Sequence, residues 1–265
     1  MPPDVDAEAT RRDRGRVLRA LADGGFVAAR EEADELLRAR ADGVGDLEDL
    51  LARRLSGEPL AWIVGSTRFC DTRVLVDPGV YVPRPQTEAL ARRAASLLPD
   101  GGIAVDLCTG CGAVAVVLRH ACPGARVLAT DVDRAAVACA RRNGVDALVG
   151  DLDEPLPPSL LGSIDVLTAV VPYVPTEELH LLPRDVLTYE PRAALDGGAG
   201  GTALLTRAAH VSARWLRPGG RVLLELGGDQ AGELQTTFVV LGMSIVGVHR
   251  DRDGRDRAIE ARRPS

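Results

Sequence analysis

Ala104–Leu118, AVDLCTGCGAVAVVL, is the stretch whose reading decides the fold. Cys108 and Cys111 form a C-x-x-C, the spacing of a redox pair or of half a zinc site. Gly110, Gly112 and Ala115 form a G-x-G-x-x-A, the minimal dinucleotide fingerprint between a strand and a helix. Asp106, just ahead of the glycines, points to a nucleoside-binding loop of a third kind.

The metal and redox readings weaken first. The chain has five cysteines and four histidines, but no second C-x-x-C, and the histidines are scattered. A closed zinc site needs four N or S ligands, usually in two paired clusters, so no metal is expected. Cys108 and Cys111 are instead read as small residues in a tight turn, in a reducing compartment. A thiol there could still be acidified by the helix N-terminus.

Outside this stretch the chain alternates strands and helices. ALARRAASLL reads as a helix, IAVDL as a buried strand and AVAVVLRHA as a helix. RVLATD is the second strand, and DRAAVACARRNG a helix capped by Asp133 and stopped by Gly144. DALVGD, IDVLTAVV and RVLLELG supply three more strands, with the helix GTALLTRAAHVSARWL and the turn RPGG before the last. SIVGVHRD and RDRAIEARR form a terminal hairpin around Gly254. The expected class is α/β, a Rossmann-like doubly wound sheet ending in an antiparallel hairpin.

The N-terminal part differs. Apolar positions at Val17, Leu18, Leu21, Ala33, Leu36, Leu37, Leu47, Leu50, Leu51 and Leu55 recur at helical spacing, broken at Gly24-Gly25 and at residues 43–45. A small helical domain of three or four helices is expected over 1–70. TRVLVDPGVYVPRP follows, with β-branched residues flanking Asp77-Pro78-Gly79, and reads as a hairpin linker over 71–88. The α/β domain then spans 89–265.

Bulk composition narrows the function. Of 265 residues 46% are hydrophobic and only 3% aromatic, so the core is built from Ala, Val and Leu. All 32 basic residues are arginine, and the net charge is −6. An acidic chain is poorly suited to nucleic acid or an anionic membrane. The N-terminal MPPDVDAEATRRDRGRV has no apolar h-region, and no apolar run reaches the roughly 18 residues of a membrane span. The expected location is cytoplasmic.

Three carboxylates close successive strands: Asp106, Asp131 and Asp151, separated by 25 and 20 residues. Ligands of open α/β sheets bind beyond these strand ends. Asp131 is placed to accept hydrogen bonds from ribose hydroxyls, in NAD or in S-adenosylmethionine (SAM). A carboxylate at Asp106 would repel a pyrophosphate but suits the cationic amino acid end of SAM. SAM is therefore the expected cofactor and S-adenosylhomocysteine the product; a Rossmann oxidoreductase is disfavoured.

VDLCTGCGAVAVVL followed by ATDVDRAAVACARRN resembles motif I and its successor in class I SAM-dependent methyltransferases. RRLSGEPLAWIVG (53–65), VYVPRPQTEAL (80–90), YEPRAALDGG (189–198) and LRPGGRVLLELGGDQ (216–230) are similar to segments of the HemK/PrmC family. Those are protein-(glutamine-N5) methyltransferases that modify peptide chain release factors. The resemblance runs from about residue 15 to 260 and takes in the helical N-terminal part. It implies that Asp106 and the loop Cys108, Thr109, Gly110, Cys111 and Gly112 hold the methionine and ribose side. Asp131, with Val132, would hold the ribose hydroxyls, and Asp151 and Leu152 the adenine. Arg84, Pro85, Glu88 and Glu190 fall on the substrate side. A plain alternative makes Arg84 and Glu88 a surface i,i+4 pair.

One departure bears on the acceptor. The family signature Asn-Pro-Pro-Tyr, after the fourth strand, reads here Val170, Val171, Pro172, Tyr173. In the family the Asn carbonyl and the next backbone carbonyl receive the two N–H groups of the substrate amide. Val170 has no such acceptor, whereas the Val171 carbonyl remains. Losing one positioned hydrogen-bonding group at a reacting centre costs about 2.7–4 kcal/mol. The resemblance implies a release factor as protein substrate. The departure keeps open a paralogue acting on another protein or a small molecule, and a SAM-binding protein without catalysis.

Overall fold

The structure, a computed structural model, describes residues 5–265, so the first four residues of the N-terminal stretch read above lie outside the described residues. The chain divides into two compact units, Met1–Ser66 and Thr67–Ser265.

The first unit carries helices α1 (Val5–Asp23), α2 (Ala29–Ala41), α3 (Leu47–Leu55) and α4 (Leu60–Val64). Their shared core holds Val17, Leu21, Ala33, Leu36, Leu50 and Ile63, as the helical spacing requires. Leu55 is the exception: it ends α3 on the solvent side, 43% exposed. Asp46 starts α3 by accepting the Glu48 N–H at 3.0 Å. Arg54 and Glu32 form a largely buried pair at 2.6 Å, with the Arg54 guanidinium over the Phe26 ring.

The hairpin lies earlier than the turn signal suggested. Strands β1 (Ser66–Phe69) and β2 (Thr72–Leu75) pair around Cys70 and Asp71, both in the left-handed region at φ 48° and 63°. Two consecutive positive φ values make the tight reversal that matches strand twist, but Phe-Cys-Asp-Thr lacks the Asn or Gly that would announce it. Asp77-Pro78-Gly79 does turn, with the Val80 N–H donating to the Asp77 carbonyl, but it follows the hairpin.

The second unit continues with α5 (Thr87–Leu97), β3 (Ile103–Leu107), α6 (Ala113–Ala121), β4 (Arg126–Asp131), α7 (Arg134–Arg142), β5 (Asp146–Val149) and β6 (Ile164–Ala169). After it come α8 (Arg184–Tyr189), α9 (Ala203–Trp215), β7 (Leu216–Glu225), α10 (Ala231–Val240), β8 (Ser244–Arg250) and β9 (Asp256–Arg262). Among the described residues the main sheet has seven strands, ordered β5-β4-β3-β6-β7-β9-β8. The first five are parallel, and β9 runs antiparallel between β7 and β8. This is the expected Rossmann-like doubly wound sheet with its terminal antiparallel hairpin. Leu107, Leu167, Leu205, Leu224 and Phe238 are fully buried at its centre.

Two details were not expected. Residues 217–220, read as a turn before β7, are looped out inside it, where pairing jumps from Ile164↔Leu216 to Val166↔Arg221. Helices α8 and α10 also went unread. Connections from β3 lead outward to β4 and β5 on one side, while β6 and β7 lie on the other. The chain thus reverses direction across the sheet between β3 and β6, where doubly wound sheets hold their ligands.

Candidate active site

A cavity of about 530 Å³ opens at this reversal. Its floor is the loop after β3 and its opposite wall is the segment after β6.

Asp106 is 2% exposed, yet it lines the cavity. The hydroxyl of Thr109 donates to its Oδ2 and that of Thr168 to its Oδ1, both at 2.6 Å. Burial pushes its pKa up to about 6; the two hydroxyls oppose the rise and the nearby Asp131 charge adds to it. Asp131, at the end of β4, accepts the Gly110 N–H at 2.8 Å and the Asp133 N–H at 2.9 Å. It therefore ties the loop to the neighbouring strand while staying on the cavity surface. Its pKa is also raised, chiefly by burial. Asp133 caps α7 through the Ala135 N–H at 2.8 Å.

Cys108, Thr109, Gly110, Cys111, Val132 and Asp151 complete this side. Asp151 is paired with Arg207 at 2.8 Å. Gly112 and Leu152 do not line it: Gly112 is the left-handed residue that starts α6, and Leu152 is 3% exposed in the core. Cys108 and Cys111 are free thiols. Burial raises both, Cys111 to about 12, and the carboxylates around Cys108 raise it further. The acidified thiol is thus the reverse of what the loop makes. Among the described residues no group of three or more His, Cys, Asp or Glu is placed to hold a metal ion.

The far wall is different in character. Val170, Val171, Pro172, Tyr173 and Val174 line it, with Leu182, Pro183, Val186 and Leu195 from the segment that follows. Polar groups there come from Tyr81, Arg84, Gln86 and Tyr173. Arg84 does not pair with Glu88, which instead binds Arg92 at 3.0 Å. Arg84 reaches Glu190, 106 residues away, at 2.5 Å, and lies over the Tyr81 ring at 4.9 Å. Glu190 is 6% exposed and its pKa is raised by burial, against the opposing Arg84 charge. Pro85 is exposed and Glu88 faces away, so neither lines the cavity.

Tyr173 is held from several directions. Its hydroxyl donates to Glu225 Oε1 at 3.2 Å, and its carbonyl accepts from Gln230 Nε2 at 2.8 Å. Gly227 lies against the ring: a Cβ there would stand 2.4 Å from Tyr173 Cδ2. A Cβ on Gly201 would stand 2.1 Å from the Tyr173 carbonyl oxygen. Glu225 is 1% exposed; burial raises its pKa, while Thr87 and Tyr173 oppose.

Sequence reasoning missed Tyr81, Gln86, Glu225 and the apolar wall from Leu182 to Leu195. Glu225 carried a usable signal, an acid at the end of a buried strand like Asp106 and Asp131. The apolar wall carried none, since its 3₁₀ turns and short α8 lack periodicity.

No family model matches the sequence. A release factor glutamine methyltransferase from Mycobacterium leprae is 38% identical over 226 residues, 81% of this chain and 78% of the relative. A 4-amino-L-phenylalanine/4-methylamino-L-phenylalanine methyltransferase from Streptomyces pristinaespiralis is 35% identical over 248 residues, 84% of each chain. Among solved structures, a ribosomal protein L11 methylase from Lactobacillus delbrueckii subsp. bulgaricus aligns over 72% of this chain and 84% of its own. Its TM-score is 0.51 at 18% identity, a likeness of fold.

Proposed function

The chain belongs to the release factor glutamine methyltransferase family, a SAM-dependent class of methyltransferase, and from that premise we propose that it methylates the side-chain amide of a glutamine in a peptide chain release factor. The observation that carries this reading is the single cavity surface on which an acidic nucleoside-type floor faces the segment 170–173 across the β3/β6 reversal.

The floor fits SAM. Asp106 offers a buried carboxylate to the ammonium of the methionine end. Asp131 keeps lone pairs for ribose hydroxyls beyond its two backbone bonds. Asp151 stands at the adenine end. Once bound, SAM supplies a methyl group activated by a sulfonium.

The remaining work falls to this chain's own residues. An amide nitrogen is a weak nucleophile, so holding it in line with the methyl carbon accounts for much of the rate. The Val171 carbonyl accepts one amide N–H. Tyr173, fixed by Glu225, Gln230 and Gly227, closes the wall beside it. The apolar residues from Val174 to Leu195 keep water from the nitrogen and strengthen each remaining hydrogen bond. SAM would supply the methyl in place of one amide hydrogen, and that proton would leave through the cavity mouth to bulk solvent while the Val171 carbonyl holds the other N–H.

Transfer of labelled methyl from SAM to a purified release factor tests this. Comparable transfer by the native chain and by Val170→Asn supports it. No transfer by the native chain, with gain in Val170→Asn, overturns it in favour of an acceptor nitrogen that needs no pair of carbonyls. An arylamine of the kind named for the Streptomyces pristinaespiralis relative is the first to try.

A further inference from the structure

The cofactor reading depends on a charged Asp106, and Asp106 stands where a carboxylate is hard to keep charged. It is buried on β3 with a strand on either side. In register it lies between Ala129 on β4 and Thr168 on β6. Ala129 is fully buried and offers only a methyl group. Thr168, also fully buried, offers a hydroxyl.

The contacts form a clamp. Thr168 Oγ1 donates to Oδ1 of Asp106 and Thr109 Oγ1 to Oδ2, both at 2.6 Å, the short distance of a hydroxyl on a charged carboxylate. One donor comes from β6 and the other from the loop after β3, so the carboxyl plane cannot swing without stretching both bonds. Each oxygen has two lone-pair sites, so one on each stays free. Asp106 lines the cavity, so a cation arriving there meets a carboxylate already oriented. The titratable groups beside it are Asp131 at the end of β4 and the thiols of Cys108 and Cys111 in the loop; Asp131 repels its charge, while the two hydroxyls oppose the effect of burial. Thr168 itself does not line the cavity, so anything it does for a ligand passes through Asp106.

We infer that Thr168 is a positioning residue for the cofactor: with Thr109 it clamps the Asp106 carboxylate in the orientation that receives the ammonium of the methionine end. This inference rests on the cofactor reading above. It also ranks ligands. S-adenosylhomocysteine carries that ammonium, whereas methylthioadenosine shares the nucleoside and the sulfur but ends in a methyl group. The clamp therefore matters to the first and not to the second.

Calorimetry with these two ligands is the test. Thr168→Val keeps the shape of the side chain and removes the hydroxyl. Its Kd for S-adenosylhomocysteine at neutral pH should rise about 10- to 100-fold, as for loss of a hydrogen bond to a charged group. The pH below which binding weakens should move up by about one unit, because the hydroxyl favours the charged form. The Kd for methylthioadenosine should stay native, and Thr168→Ser, which keeps the hydroxyl, should bind both ligands as the native chain does. Native affinity for S-adenosylhomocysteine in Thr168→Val, or an equal loss for both ligands, overturns the inference. Thr109→Val removes the donor on the other oxygen and should give the same pattern, which decides the matter if Thr168→Val does not fold. If the native chain binds neither SAM nor S-adenosylhomocysteine, the cofactor reading fails and the clamp is judged in the cofactor-free protein. There the Asp106 carboxyl ¹³C signal, assigned by its loss in Asp106→Asn, should titrate about one pH unit higher in Thr168→Val; an unmoved titration overturns the clamp.

Discussion

Gly227→Ala puts the geometry of the acceptor wall to a direct test. The added Cβ would stand 2.4 Å from Cδ2 and 2.6 Å from Cε2 of Tyr173. Carbon atoms in contact prefer about 3.5–4.0 Å, so the ring must retreat by about 1 Å. The bond from Tyr173 Oη to Glu225, now 3.2 Å, would then stretch beyond any hydrogen-bonding distance. Overpacking of this kind costs about 1–3 kcal/mol, and each kcal/mol lowers the melting temperature of a unit this size by roughly 2–4 °C. A 1 Å misplacement at a reacting centre costs on the order of 10²-fold in rate. Thermal unfolding, SAM calorimetry and methyl transfer should therefore separate. Stability and kcat should fall while the SAM Kd holds, because the carboxylate floor proposed for the cofactor lies on the other side of the cavity. In a Tyr173→Ala background the clash is gone, so Gly227→Ala should cost much less there than in the native chain. A Gly227→Ala protein with native melting temperature and native kcat would refute the reasoning.

Three further outcomes follow from the same side chains. Asp106 has its pKa raised to about 6 by burial, so its contribution to the stability of the cofactor-free protein is full below its unfolded value near 4 and lost as pH rises through 6, roughly 3 kcal/mol in all. SAM binding needs the charged form and should weaken as pH falls through 6; calorimetry on Asp106→Asn should show weaker binding with that pH dependence gone. Arg84→Met strands Glu190, whose buried carboxyl is already raised, so by denaturant titration the loss should approach about 3 kcal/mol while the carboxyl is ionised and shrink as falling pH protonates it. Cys108 is a non-glycine residue at φ 53°, and Cys108→Gly should raise stability by about 1 kcal/mol in thermal unfolding while leaving SAM affinity intact.

The floor of the cavity could be read from sequence because its logic is local. Asp106, Gly110 and Gly112 fall within one strand–turn–helix unit, and Asp131 and Asp151 repeat the strand-end position one unit later each time. Helical periodicity likewise located α1–α3, since each buries a stripe of its own. The acceptor wall could not be read this way. Its chief contacts join Arg84 to Glu190, Tyr173 to Glu225 and Tyr173 to Gly227, across separations that no local pattern encodes. The plain alternative of an Arg84–Glu88 pair, suggested by their four-residue spacing, fails because the chain turns at Pro85 before α5 begins and each finds its partner elsewhere, Arg84 on Glu190 and Glu88 on Arg92. The hairpin was misplaced for a similar reason: Cys70 and Asp71 adopt left-handed backbone without the residues that usually mark it.

Strands β3 and β6 end flush, Leu107 beside Ala169 in parallel register. The two loops that would carry methyl donor and acceptor therefore spring from hydrogen-bonded neighbours, roughly 4.8 Å apart at their bases. When the sheet twists or breathes, both loops ride the same displacement, and the difference between them cancels to first order. The in-line distance that methyl transfer demands would thus be insulated from that displacement. The sheet acts as an optical bench, leaving only side chains on the acceptor wall to be adjusted when a different nitrogen must be aligned.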